Sequence, residues 1–152
     1  MSRYSTKASR LLSVLVLSWL SSFLAGPAHA GVMVPLKGSF DGQIVNLDND
    51  SIFYGNFTHL GRFDGTSDGV TATAQWTAAN GDTVTNQTTS FVLEDEISPG
   101  VFPYVQMLVI TGGTGRFENA GGSAVVEGTI NFATGEFDGF LKGTITRPNS
   151  QR

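Results

Sequence analysis

Two alternating segments in the last quarter of the chain constrain it most. From Ala124 to Phe132 one phase is Ala124, Val126, Gly128, Ile130 and Phe132, and the other is Val125, Glu127, Thr129 and Asn131. After Ala133-Thr134-Gly135-Glu136 the period returns, with Phe137, Gly139, Leu141, Gly143 and Ile145 on one side and Asp138, Lys142 and Thr144 mostly on the other. A period of two sends successive side chains to opposite faces of a strand, so the stretch is a hairpin whose two strands both turn an apolar side inward.

The same pattern recurs upstream. Val32, Val34, Leu36, Gly38, Phe40 and Gly42 share one face of a first strand, opposite Lys37, Ser39 and Asp41. A polar reversal over 46–51 leads into a second strand region, Ile52 to Phe63, broken by Gly55 and Gly61, and Asp64 to Gly69 reads as the next turn. Val70, Ala72, Ala74 and Trp76 line a third strand, Asn80-Gly81 is the strongest hairpin signal, and Thr83 to Leu93 returns as a fourth strand. Past Glu94-Asp95-Glu96 and Ser98-Pro99-Gly100, the segment Val101 to Thr111 is apolar on both faces, which predicts burial on both sides or a cap at one end. Pro103 places the start of that strand at an edge or a bulge.

No stretch after residue 30 sustains helical spacing, and the turns divide the chain into about seven or eight strands. Eighteen of the nineteen glycines and ten of the eleven phenylalanines lie after residue 30, so chain reversals alternate with large apolar plugs. The predicted fold is all-β, an antiparallel up-and-down β-barrel of about eight strands.

Residues 1–30 read as a secretory signal peptide. Arg3, Lys7 and Arg10 precede the apolar run Leu11 to Leu24, and Ala28-His29-Ala30 supplies a small-residue cleavage site. Cleavage there leaves residues 31–152 as a single barrel domain in a secreted or periplasmic location, with no retained membrane anchor. Without the leader, six basic residues face thirteen acidic ones, a net charge of −7. That balance disfavours nucleic acid and anionic membrane surfaces as partners, since both demand concentrated Lys and Arg. The chain has no cysteine, so an exported domain of this size relies on its core and its sheet instead of disulfides.

Chemistry-bearing residues are few. His59 is the only histidine after the leader, which rules out a histidine-rich or cysteine-containing zinc site within one chain, and no Gly-x-Ser-x-Gly elbow supplies a serine nucleophile. No metal, cofactor or catalytic set is therefore expected. In strand alternation His59 shares its phase with Phe53, Phe57 and Phe63, which points it inward as a ligand-orienting group or as a buried, satisfied histidine. Trp76 and Tyr104, with Tyr54, are candidates for lining a pocket for a small apolar molecule, or for ordinary core. Asn86-Gln87-Thr88 and Asn56-Phe57-Thr58 match a glycosylation acceptor pattern but fall in predicted strands.

The loop Gly112-Gly113-Thr114-Gly115-Arg116-Phe117 lacks the spacing of a phosphate cradle, because Glu118 stands where a dinucleotide fingerprint needs glycine and no Gly-Lys-Ser/Thr follows. Its residues suit a structural turn, with Thr114 capping one helical turn and Phe117 folded back over a barrel end.

Taken with Thr58-His59-Leu60-Gly61-Arg62-Phe63, Thr77-Ala78-Ala79-Asn80-Gly81-Asp82 and Ala120-Gly121-Gly122, this segment resembles a group of secreted bacterial proteins without an assigned activity. Through Gly-Gly-Thr-Gly-x-Phe it resembles the allene oxide cyclase and dirigent barrels of the calycin-like architecture. The resemblance implies an eight-stranded antiparallel barrel and self-association into homo-oligomers. It carries over no catalytic residues, since neither the dirigent acidic residues nor the cyclase positions match numbered residues here. The expectation is an exported, non-catalytic barrel that binds a small apolar ligand or acts through self-association or protein contacts. The alternative is a cyclase-like or dirigent-like isomerase acting on an apolar substrate inside the barrel.

Overall fold

The computed structural model describes residues 31–149; the expected signal peptide, 1–30, lies outside the described residues. Eight strands follow in order: β1 (Met33–Ile44), β2 (Ser51–Phe57), β3 (Gly61–Asp68), β4 (Thr73–Ala78), β5 (Thr83–Leu93), β6 (Val101–Gly113), β7 (Gly122–Asn131) and β8 (Glu136–Thr146). A single 3₁₀ turn, Gly115–Phe117, lies between β6 and β7. Each strand pairs antiparallel with its neighbours in sequence, and β1 pairs with β8 from Met33↔Thr146 to Gln43↔Glu136, closing an up-and-down barrel of the calycin-like kind. Closure removes every exposed sheet edge.

The alternation in β1, β7 and β8 is the one the barrel uses. Leu36, Phe40, Val126, Ile130, Leu141 and Ile145 are all buried inside, while their sequence neighbours face out. The Asn80-Gly81 hairpin joins β4 to β5, with Gly81 at a φ of +88°.

Three expectations are corrected. The region Ile52 to Phe63 is two strands, and Asp64 to Asp68, expected as a turn, is the second half of β3, paired with β2 from Ser67↔Ser51 to Asp64↔Tyr54. The turn-forming composition yields to a complete ladder there, and the reversal falls at 69–72, so Val70 is an exposed turn residue and β4 begins at Thr73. The outer face of β6 is not covered: Met107 is 50% exposed and Val109 37%, and the apolar run marks an open outer surface. Pro103 stands just past the last β5–β6 pair, Leu93↔Tyr104, where its missing N–H costs the ladder nothing central.

The glycines and aromatics of the interior fit one another. Gly65 faces Phe53 across the β2–β3 ladder, and a Cβ there would press into the Phe53 ring. At Gly139 a Cβ would lie 2.6 Å from Phe40 Cζ and 2.9 Å from the Tyr104 hydroxyl. Each ring thus occupies the space that a neighbouring strand leaves by carrying no side chain. The rings then meet each other at favourable tilts: Phe40 and Phe53 with centroids 5.7 Å apart, Phe53 and Phe63 6.1 Å, and Phe57 edge-on to Trp76 at 5.0 Å. Overfilling such a seat costs about 1–3 kcal/mol. Gly65→Ala is expected to lower stability by about that amount in urea unfolding, and Phe53→Leu on the same background to recover part of the loss. Purely additive effects of the two substitutions would show that the ring does not sit on the glycine.

Candidate functional site

The two ends of the barrel differ. At the end holding the β2–β3, β4–β5 and β6–β7 connections, Leu60, Phe117 and Ala120 are all at or below 4% exposure and form a plug. Gly115, at a φ of +59°, turns the chain so that Phe117 folds back, and the Arg116 guanidinium lies 4.9 Å over the Phe117 ring. Arg116 also donates to the Leu60 carbonyl at 3.2 Å and lies 3.5 Å from the Asp82 carboxylate, so one side chain ties the three connections together. Thr114 holds this end differently from the cap expected of it. Its hydroxyl accepts from the Thr83 N–H at 3.0 Å, and its own N–H bonds the Thr83 carbonyl.

The other end is open. A cavity of about 380 Å³ runs inward from a rim that includes Asn49, Asp68, Ala72 and Phe132, between walls built largely from Phe40, Phe53, Trp76, Leu108, Phe137 and Leu141. Its size is in the range of small-molecule sites, and its depth stops at the aromatic layer above the plug. The barrel is therefore packed in one half and hollow in the other, because β4 contributes small Ala74 where a large side chain would fill the space.

Two of the three residues singled out in the sequence line this cavity. Trp76 is 2% exposed, and Tyr104 is 4% exposed, with Phe91 stacked on it at 5.2 Å. His59 does not, and its expected inward orientation is corrected: it sits exposed in the turn after β2, at a φ of +70°. A left-handed residue breaks the period of two, so the inward place passes to Leu60, which closes the plug.

The sequence reading passed over a polar arc inside the apolar walls. Ser51, Ser67, Ala74 and Asn86 lie directly opposite one another across β2 to β5, and all four line the cavity. The Ser51 and Ser67 hydroxyls are 2.6 Å apart, and Gln106 donates to the Thr88 hydroxyl at 2.7 Å. Asn86 shares the inward phase of Val84 and Thr88, and this periodicity was the available signal; it also removes Asn86 from reach of glycosylation, since the side chain is 2% exposed.

Charge is sparse here. Asp68 at the rim accepts from the Thr71 and Val70 amides at 2.8 and 2.9 Å, and the Thr71 amide leads in holding its carboxyl below the usual range, with the Thr71 hydroxyl and Val70 amide assisting against some desolvation. Among the described residues no lysine, arginine or histidine lines the cavity. Tyr104 donates its hydroxyl to the Asp138 carbonyl at 3.0 Å, and burial, with the nearby Asp138 charge, pushes its phenol well above the ordinary value. It is a neutral donor, already engaged, and no proton acceptor. No family model, curated relative or solved structure matches the chain.

The raised phenol has a consequence for stability. Below the unfolded-state value near 10 both states keep the proton and the full stability is present; as pH rises above 10, the unfolded chain ionises first and stability falls by up to about 1.4 kcal/mol per pH unit. Denaturant titrations between pH 8 and 11.5 are expected to show this decline and to show a shallower one in Tyr104→Phe. The variant loses about 1 kcal/mol at pH 8 through the missing hydrogen bond. Parallel declines in both proteins would mean that the phenol titrates freely.

Proposed function

We propose that this protein is an exported, non-catalytic binding barrel that takes a small, mainly apolar molecule into its open end. The observation that carries this reading is the half-hollow interior: a cavity of about 380 Å³ with aromatic walls, reached from one end and sealed at the other. Burying aromatic and aliphatic surface against such walls stabilises a complex by roughly 25 cal/mol for each Å² removed from water. The preformed barrel lowers the ordering cost of binding.

The outer surface supports the self-association part of the same reading. Val92 pairs with Val105, and Met107 with Val125, giving an exposed apolar stretch across β5, β6 and β7. Sedimentation of the protein is expected to show a multimer that Met107→Glu dissociates, and a monomer in both would leave the cavity as the functional feature.

The resemblance to allene oxide cyclase and dirigent barrels supplies the alternative, an isomerase or cyclase confining an apolar substrate in the same cavity. In that case the polar arc would orient the substrate, because Tyr104 is engaged, Asp68 is at the rim and His59 lies outside.

Filling the cavity separates the inside from the surface. Ala74→Phe is expected to weaken binding of the neutral dye N-phenyl-1-naphthylamine at least tenfold by fluorescence titration, while the melting temperature holds or rises. Undiminished dye binding in a folded variant would place the apolar site elsewhere and overturn the reading.

A further inference from the structure

Most polar groups of the cavity satisfy one another; two buried ones do not. Asn86, 2% exposed, donates through Nδ2 to the Ala74 carbonyl at 3.3 Å, which fixes the amide, since the opposite orientation would set oxygen against oxygen. Its Oδ1 meets no donor among the described residues, and the indole N–H of Trp76, also 2% exposed, meets no hydrogen-bond acceptor among them. The sealed side-chain nitrogen or oxygen without a hydrogen bond among the described residues is Arg116 Nε, at the plug, where the Asp82 carboxylate 3.5 Å away pairs with it as an ion. The open atoms of Asn86 and Trp76 are therefore reachable, and both side chains line the cavity.

They are also close. Asn86 lies opposite Ala74 and Trp76 opposite Val84, so the two are diagonal neighbours on β4 and β5, with Cβ atoms on the order of 7 Å apart. One oxygen carrying one proton has the chemistry to serve both, accepting from the indole N–H and donating to the amide oxygen. A buried polar atom without a partner costs about 1–3 kcal/mol, so a ligand that completes both is favoured over one that completes neither.

We propose that Trp76 and Asn86 form a hydroxyl-reading subsite, and that the ligand class is a neutral, largely aromatic or polyunsaturated alcohol or phenol. Its oxygen accepts from Trp76 Nε1–H and its proton goes to Asn86 Oδ1. This rests on the binding reading above and narrows it. An anionic ligand such as a fatty acid is disfavoured by the same walls, because among the described residues no cation lines the cavity and the Asp68 carboxylate stands at its mouth.

Calorimetric titration of the protein with four matched probes tests this: 2-naphthol, 2-methoxynaphthalene, 2-methylnaphthalene and 2-naphthoate. The methoxy compound keeps the acceptor and loses the donor, the methyl compound loses both, and naphthoate adds a charge. The expected order is naphthol first, methoxynaphthalene about five- to tenfold weaker, methylnaphthalene weaker again by a similar factor, and naphthoate weakest. A merely apolar cavity gives the reverse order of the first three, since transfer from water favours the methyl compound. Methylnaphthalene or naphthoate binding tightest would overturn the subsite while leaving the binding barrel standing, whereas failure of all four to bind would overturn both. Asn86→Leu is expected to erase the naphthol advantage over methoxynaphthalene without weakening the latter. Should that variant not fold, the order measured on the unaltered protein decides.

Discussion

The closing ladder between β1 and β8 is the interaction on which the rest of the structure depends. It joins segments about a hundred residues apart in the chain, from Met33↔Thr146 to Gln43↔Glu136, and it converts a meander with two free edges into a barrel with an inside. Bringing such distant segments together costs loop-closure entropy that local hairpins do not, and the interior must return it. It does so with rings: Phe40 from β1, Phe53 and Phe57 from β2 and Phe137 from β8 converge on the seam, each in space that glycines leave free. The same rings form walls of the cavity, so closure and the shape of the hollow draw on one set of side chains.

The hollow half follows from a difference between the two ends. One end is filled by Leu60, Phe117 and Ala120 and tied by Arg116 to the Leu60 carbonyl and the Asp82 carboxylate. The other has small or polar inward residues, Ser51, Ser67 and Ala74, where the same strands carry Phe57, Phe63 and Trp76 deeper in, forming the aromatic floor above the plug. A chain selected only for stability has no reason to leave buried polar atoms beside an aromatic wall without partners. An open donor and an open acceptor left on diagonal neighbours are costly as packing.

Much of the barrel was legible because a half-buried strand writes its burial directly into a period of two. β1, β7 and β8 could be read almost to their ends in this way, and Asn80-Gly81 located the reversal from which β5 returns. The reading failed where local chemistry and tertiary register compete. Asp64 to Asp68 has the composition of a turn but continues a ladder, and His59 looked inward until its left-handed backbone shifted the phase by one residue. Of the candidate site, Trp76 and Tyr104 were visible as large aromatics, but Asn86 was not, because a polar residue in a strand is ordinarily an outward one.

By itself the sequence determined the all-β architecture, the strand phases and the aromatic and glycine content of the interior, since each of these is a local periodicity or a sum over the chain. Only the tertiary structure decided that the barrel is hollow at one end, that His59 stands outside and that Asn86 lies diagonally beside Trp76. Those facts depend on the register between strands, and register is fixed by the closure of the whole ring: a slip of one residue would carry every inward side chain to the outer face.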